Sequence, residues 1–278
     1  CSYCIIPYAR GRVRSRQKDD IIREIEGLVK RGYKEVVLTG IHISSYGTDF
    51  GKGSLLDLVQ SIEKIEGLQR IRLGSLEPRI VTEEFATELA KLSKVCPHFH
   101  LSLQSGSLNT LKRMNRHYTP SEYLKGVEEL RKAFDNPAIT TDVIVGFPGE
   151  TEEEFLETKA FLENIKLYEM HIFKYSIRKG TIAAKMPDQV PDEIKAVRSD
   201  ELLEMEERLS GEYRKTYLGK DVSVLFEEEK QIQGESYQIG HTKQYVKVAL
   251  KTKENLSNQI ITGKVSKMLT NDILLMED

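Results

Sequence analysis

The sequence predicts an α/β protein in which a partial barrel of βα units is followed by a small all-β barrel. Helical and extended patterns alternate between Gln17 and Arg178, the signature of βα units on a parallel sheet with right-handed crossovers. A long charged helix follows. Beyond Gly219 short alternating strands with turn signals take over, as in a small β-barrel. For a chain of 278 residues, one large and one small domain is the natural division. The boundary is expected between residues 212 and 213.

The first helix is read over residues 19–29, where Ile21, Ile22, Ile25, Leu28 and Val29 share one face and Asp19 and Asp20 occupy the first turn. Gly32 punctuates its end, and residues 35–40 read as a short buried strand. Ser54 caps a helix carrying Leu55, Leu58, Val59 and Ile62. Further strands are expected at 71–73, 100–103, 142–145 and 170–173, separated by helices near 82–94, 120–134 and 151–164. Five strands are legible and the series opens on a helix, so a first strand is expected before Cys1. Six units make a partial barrel, short of the closed eight-fold form. Pro187 and Pro191 break the pattern before the charged helix at about 192–215. Strands are then read at 221–226, 244–250, 259–261 and 263–265.

A hydrophobic content of 39% with 30% charged residues describes a globular chain. The formal net charge of −2 gives no global basic field. Arg10, Arg12, Arg14, Arg16 and Lys18 are the local exception. They form either a solvated face or a contact for phosphate or carboxylate groups. No apolar run approaches the roughly 20 residues of a membrane helix, and a cytoplasmic location is expected. Three cysteines do not make a disulfide framework. Cys96 reads as a buried structural thiol.

In a βα architecture the loops after the strands gather on one rim. Here they include Thr39-Gly40-Ile41-His42, Gly74 to Arg79, Gln104 to Ser107, Gly146 to Glu150 and Lys174 to Ser176. Each alone is a turn signal; five polar or glycine-rich loops on one rim favour a binding site. Cys1 and Cys4, spaced C-x-x-C, have three readings: a redox pair, half of a zinc site, or ligands of an iron–sulfur cluster.

The stretches Tyr3 to Gly11, Leu38 to Gly47, Leu101 to Ser107, Arg113-Met114-Asn115-Arg116 and Asp142 to Thr151 together resemble the radical S-adenosylmethionine (radical SAM) methylthiotransferases. The resemblance covers nearly the whole chain, because the β-rich end is similar to that family's TRAM RNA-binding domain. The Thr-Gly-Ile-His and Leu-Ser-Leu-Gln-Ser-Gly-Ser stretches look most like the branch acting on N6-threonylcarbamoyladenosine of tRNA, next to the anticodon. The isopentenyladenosine branch and the branch modifying a ribosomal-protein aspartate are more distant.

The resemblance implies a transferase with S-adenosylmethionine and a 4Fe–4S cluster, and a second cluster in the full-length protein. Cys1 and Cys4 match the second and third cysteines of the family's C-x-x-x-C-x-x-C motif. It further implies that Tyr3 lies against the adenine and that Thr39 and Gly40 sit at the methionine amino group. Ser75 and Glu77 would make ribose or amino contacts. Gln104 and Ser105 would face ribose and carboxylate, Arg116 would pair with the carboxylate, and Gly146 would let the backbone approach the adenine. His42 is either a loop-bonding residue or a substrate contact. Ile177 and Lys179 stand where relatives often carry proline, which loosens that loop. The implied partners are tRNA and an electron donor such as flavodoxin or ferredoxin, acting on a monomer. With two of three cluster thiolates, the chain by itself is expected to be an inactive RNA- and cosubstrate-binding piece.

Overall fold

A computed structural model of the chain describes every residue except Lys52 and Asp278. It begins with a five-residue helix, α1 (Ile6–Arg10), closed by Gly11 at φ 74°. Helix α2 (Lys18–Lys30) carries Asp19 and Asp20 in its first turn and Lys30 in its last, the arrangement that suits its macrodipole. The alternation continues through β1 (Glu35–Leu38), α3 (Leu55–Ile62), β2 (Arg70–Leu73), α4 (Glu83–Ala90), β3 (His98–His100), α5 (Leu108–Arg113), α6 (Pro120–Ala133), β4 (Ala138–Val145), α7 (Glu152–Ile165) and β5 (Glu169–Lys174). The caps explain several helix starts: Ser54, Thr82, Thr119 and Thr151 each accept a bond from the backbone three residues on.

The five strands are parallel and lie in sequential order. β1 pairs with β2, β3 with β4, and β4 with β5. Isolated bridges at Ile71–Val95 and Leu76–Leu101 stitch β2 to the β3 segment. Alternation along each strand sends Ile71, Leu73, Phe99, Val143 and Val145 to one face. There they pack with Val59, Ile62, Leu89, Tyr123, Leu130 and Leu162 from the helices. The other face carries Arg70, Arg72, His98, His100, Thr140, Asp142 and His171, which line the inside of the partial barrel.

Helix α8 (Asp192–Lys215) lies along β5 and buries Leu202, Met205 and Leu209 in the same core. It runs unbroken across the expected 212/213 boundary. The final strands β6 (Asp221–Ile232), β7 (Glu235–His241), β8 (Lys247–Leu250), β9 (Ile260–Met268) and β10 (Leu274–Glu277) close into a barrel in the order β10-β8-β7-β6-β9. Val222, Val224, Phe226, Val248, Val265, Leu274 and Met276 fill it.

The small barrel caps the N-terminal ends of the parallel strands, opposite the loop rim. Its core continues into Ala138, Tyr168 and Tyr217. Arg70 donates to His241 O and Ser223 O, and Arg72 to Lys243 O and to Glu35. Tyr245 stacks on His241 with ring centroids 4.3 Å apart and receives the Arg72 guanidinium 4.6 Å from its own centroid.

Local differences from the sequence reading have physical causes. The strand read at 100–103 is regular only over His98–His100, because Leu101 onward bends into the rim loop. Residues 243–244 form a turn closed by Tyr245 N–H to Thr242 O, Tyr245 sits at φ 67°, and β8 starts only at Lys247. β7 and β10 were not read: β7 is largely polar, and β10 is four residues at the chain's end. Gly240 of β7 is obligatory, since an added Cβ would sit 2.2 Å from Leu225 O where β6 pairs with it. The pieces at 259–261 and 263–265 are one strand, β9.

Candidate active site

The cysteine loop is tied down by its second residue. Ser2 donates its N–H to Met114 O and its hydroxyl to Arg113 O, and its own carbonyl accepts from Ala183 N. This leaves Cys1 exposed and Cys4 half-buried at the rim, both as free thiols. Tyr3 points inward, its ring edge-on to Phe147 at 5.8 Å, and Phe147 in turn meets Tyr175 at 5.2 Å. Burial pushes the Tyr3 phenol up to about 12, against the pull of Arg116. The phenol stays protonated and can donate a hydrogen bond.

Arg116 organises the centre. Its Nη1 donates to Cys1 Sγ at 3.0 Å, its Nη2 to Ser102 O, and its Nε to Tyr118 Oη at 2.8 Å. Tyr118 Oη lies 2.6 Å from Ser102 O. Burial opposes the guanidinium charge, but Tyr118, Tyr3 and Glu77 nearby hold its pKa above the ordinary value. A fixed, half-buried cation beside the Cys1 thiol suits an anionic group such as a carboxylate.

The other rim residues divide into two sets. Gln104, at φ 73°, is buried and held in place by Asp142 O and Ile144 N, one residue beyond Leu103, whose carbonyl accepts from Tyr118. Glu77 accepts from Arg79 and, through its backbone N–H, is fixed by Ser44 Oγ. Ser75 is exposed at the same edge. Ser105 is turned away: fully buried, its hydroxyl meets Thr158 on α7 at 3.1 Å and accepts from Ser107 N. Gly146, at φ 69°, has Lys195 packed where a side chain would stand, with an added Cβ 2.3 Å from Lys195 Cγ. The fold therefore requires this glycine for packing as well as for backbone conformation.

Thr39 and Gly40 line a different space, a cavity of about 900 Å³ bounded by Pro7, Arg10 to Arg16, β1 and His42. Neither cysteine nor Arg116 borders it. His42 is exposed and bonds Ser45 within its own loop. Arg16 pairs with Glu24, and no side-chain hydrogen bond or ion pair is found for Arg10, Arg12 or Arg14 among the described residues.

Two groups escaped the sequence reading. Tyr118 orients Arg116, and its position two residues on gave no motif signal. Glu154 receives Arg113 and Thr110 beneath the Gly146–Glu150 loop. The signal for Glu154 was present in the capping-box pattern Thr151-x-x-Glu154. Cys96 is fully buried behind Arg70 and Arg72, as expected for a structural thiol, and burial pushes it up to about 11.

Residues 1–162 match the model of the Radical SAM superfamily. Among curated proteins, the chain is 41% identical over 269 residues to the threonylcarbamoyladenosine tRNA methylthiotransferase MtaB of Bacillus subtilis, covering 96% of this chain and 60% of that protein. It is 46% identical over 228 residues to the tRNA-2-methylthio-N(6)-dimethylallyladenosine synthase of Acetivibrio thermocellus, covering 82% of this chain and 48% of that protein. The chain thus spans about half to three-fifths of the length of these relatives. Among solved structures, the methyltransferase TsrM of Kitasatospora setae superimposes with a TM-score of 0.56 at 18% identity, over 66% of this chain and 36% of that one. Coproporphyrinogen III oxidase HemN of Escherichia coli does so with a TM-score of 0.55 at 14% identity, over 87% and 64%. These two share the fold. The chain belongs to the Radical SAM superfamily, with tRNA methylthiotransferases as its curated relatives.

Proposed function

We propose that the chain is the cosubstrate- and RNA-binding part of an enzyme that methylthiolates N6-threonylcarbamoyladenosine in tRNA, next to the anticodon. The observation that carries this reading is the 41% identity to the threonylcarbamoyladenosine enzyme along 96% of the chain, with Cys1, Cys4 and Arg116 gathered at one rim. The 46% identity to a dimethylallyladenosine synthase, over a shorter stretch, supports a second reading with the same chemistry on a different modified adenosine.

The superfamily's 4Fe–4S cluster, with S-adenosylmethionine, supplies a 5′-deoxyadenosyl radical when bound. The residues present fit these groups in part. Cys1 and Cys4 would provide two thiolates, and Cys96, buried at the far end of the strands, cannot be a third. Arg116 would hold the cosubstrate carboxylate, Tyr3 and Gln104 would border the adenosine, and Phe147 keeps Tyr3 in place. Glu77 and Ser75 lie within the same edge for the amino or ribose groups. In this reading residues 213–278 form the RNA-binding domain and Arg10, Arg12 and Arg14 remain open to phosphate. Cluster assembly then needs a donor beyond Cys1 and Cys4, so these 278 residues alone should not cleave the cosubstrate. The protein would act in the cytoplasm as a monomer with tRNA and a flavodoxin- or ferredoxin-type donor.

Nucleoside mass spectrometry of tRNA from a strain lacking the full-length gene tests the substrate. Loss of 2-methylthio-N6-threonylcarbamoyladenosine is expected. Its persistence, with loss of the dimethylallyl counterpart, selects the second reading. For the site, Arg116→Gln in the full-length enzyme should weaken cosubstrate binding at least about tenfold, the value of one charge-assisted bond.

A further inference from the structure

We propose that His100, Asp142 and His171 form a binding site for a divalent first-row metal ion, separate from the cysteine loop. The three residues stand on the inner face of three adjacent strands. Asp142 is directly opposite His171 in the β4–β5 register, and His100 is opposite Thr140 in the β3–β4 register. Their ligand atoms all lie within 4.8 Å of one another. His100 Nε2 and Asp142 Oδ2 are already 3.3 Å apart. Imidazole and carboxylate ligands bind such ions at about 2.0–2.2 Å, which places neighbouring donor atoms about 3–3.5 Å apart. Closing the set needs only a side-chain adjustment of His171, which is exposed and free to make it.

The surroundings of His100 support ligation. Its Nδ1 lies 3.0 Å from Thr140 Oγ1. With Nδ1–H donating to this hydroxyl, the lone pair of the other ring nitrogen is left for a metal. That other atom, Nε2, is buried and has no well-formed hydrogen bond. A His–Asp ion pair is the simpler explanation for two of the residues. That pair leaves Nε2 without a hydrogen bond of good geometry and does not account for the second imidazole, stacked at 5.9 Å from the first.

Two imidazoles and one carboxylate favour zinc or ferrous iron over magnesium or calcium, and three protein ligands leave coordination positions open. The site lies directly below the rim, since the backbone of Asp142 accepts from Gln104 N. An oxygen or nitrogen of a molecule bound inside the barrel could occupy the open position.

The test uses the 278-residue chain carrying Cys1→Ala and Cys4→Ala, which removes both rim thiolates as competing ligands. Anaerobic titration with Co²⁺ should give visible ligand-field bands saturating at one ion per chain and displaced by Zn²⁺. His171→Ala in that background should weaken Co²⁺ at least about tenfold, the lower range for losing a ligand, with an unchanged far-UV circular dichroism spectrum. His100→Ala should do the same. Absence of Co²⁺ binding in the thiol-free chain, or binding that His171→Ala leaves unchanged, would overturn the proposal. Either result leaves the tRNA reading standing, because nucleoside analysis tests that separately.

Discussion

Replacing Arg70 with methionine tests how the small barrel is fastened to the parallel sheet. Methionine retains most of the apolar stem and removes the guanidinium. In the native fold that guanidinium is 1% exposed and donates to His241 O and Ser223 O, each at 2.9 Å. A hydrogen bond from a charged donor contributes about 1.5–3 kcal/mol, and its loss leaves a buried carbonyl short of a partner. Glu35 keeps its 2.7 Å contact with Arg72, so no carboxylate is stranded and the cost stays near the lower end, about 3 kcal/mol. With a urea slope of about 3 kcal/mol/M, the unfolding midpoint should fall by about 1 M. The chain has no tryptophan, so far-UV circular dichroism and tyrosine emission are the suitable probes. A midpoint shift under about 0.3 M at unchanged slope would refute the reasoning. Arg72→Met should cost more, about 3–5 kcal/mol, because Glu35 would keep only Arg70 at 3.6 Å.

Three further outcomes are expected. Thr119→Ala removes the reciprocal capping box with Glu122 at the start of α6 and should destabilise the chain by about 1 kcal/mol in urea unfolding; no change would mean that packing of Tyr123 and Val127 alone sets the helix start. With its pKa raised to about 11 by burial, Cys96 should resist a thiol reagent at pH 8 while Cys1 and Cys4 react, since the thiolate is the reactive form; three fast-reacting thiols in the native protein would contradict this. For Glu154, burial favours the protonated acid, but Arg113, the Thr151 backbone and Thr110 outweigh it and hold the carboxyl below its ordinary value of 4.5. The unfolded state therefore takes up the proton first as pH falls, so this contribution is present above about pH 4.5 and is lost below it. Glu154→Gln should flatten the stability profile in that acid range, and an unchanged profile would remove Glu154 from the account.

The rim was legible because its signals are local. Cys1 and Cys4 sit three apart, and each rim loop immediately follows an apolar strand pattern. Which side a rim residue faces was not legible: Gln104 and Ser105 are neighbours, yet the backbone of one is tied to β4 through Asp142 and Ile144 while the hydroxyl of the other bonds Thr158 of α7. The small barrel was recognisable from alternation in β6 and β9. Its closing strand was not, because β10 is short and pairs in parallel with β8, a partner distant in sequence.

By itself the sequence determined the alternation of helices and strands through β5, the cysteine loop and the buried nature of Cys96. Periodicity, capping and turn chemistry act over a few residues, so they can be read from a single chain. Only the tertiary structure decided that Arg70 and Arg72 clamp the small barrel and that Arg116 reaches Cys1. It alone brought His100, Asp142 and His171 together. Those contacts depend on which face of each strand turns inward and on which strands become neighbours, and long-range pairing fixes both.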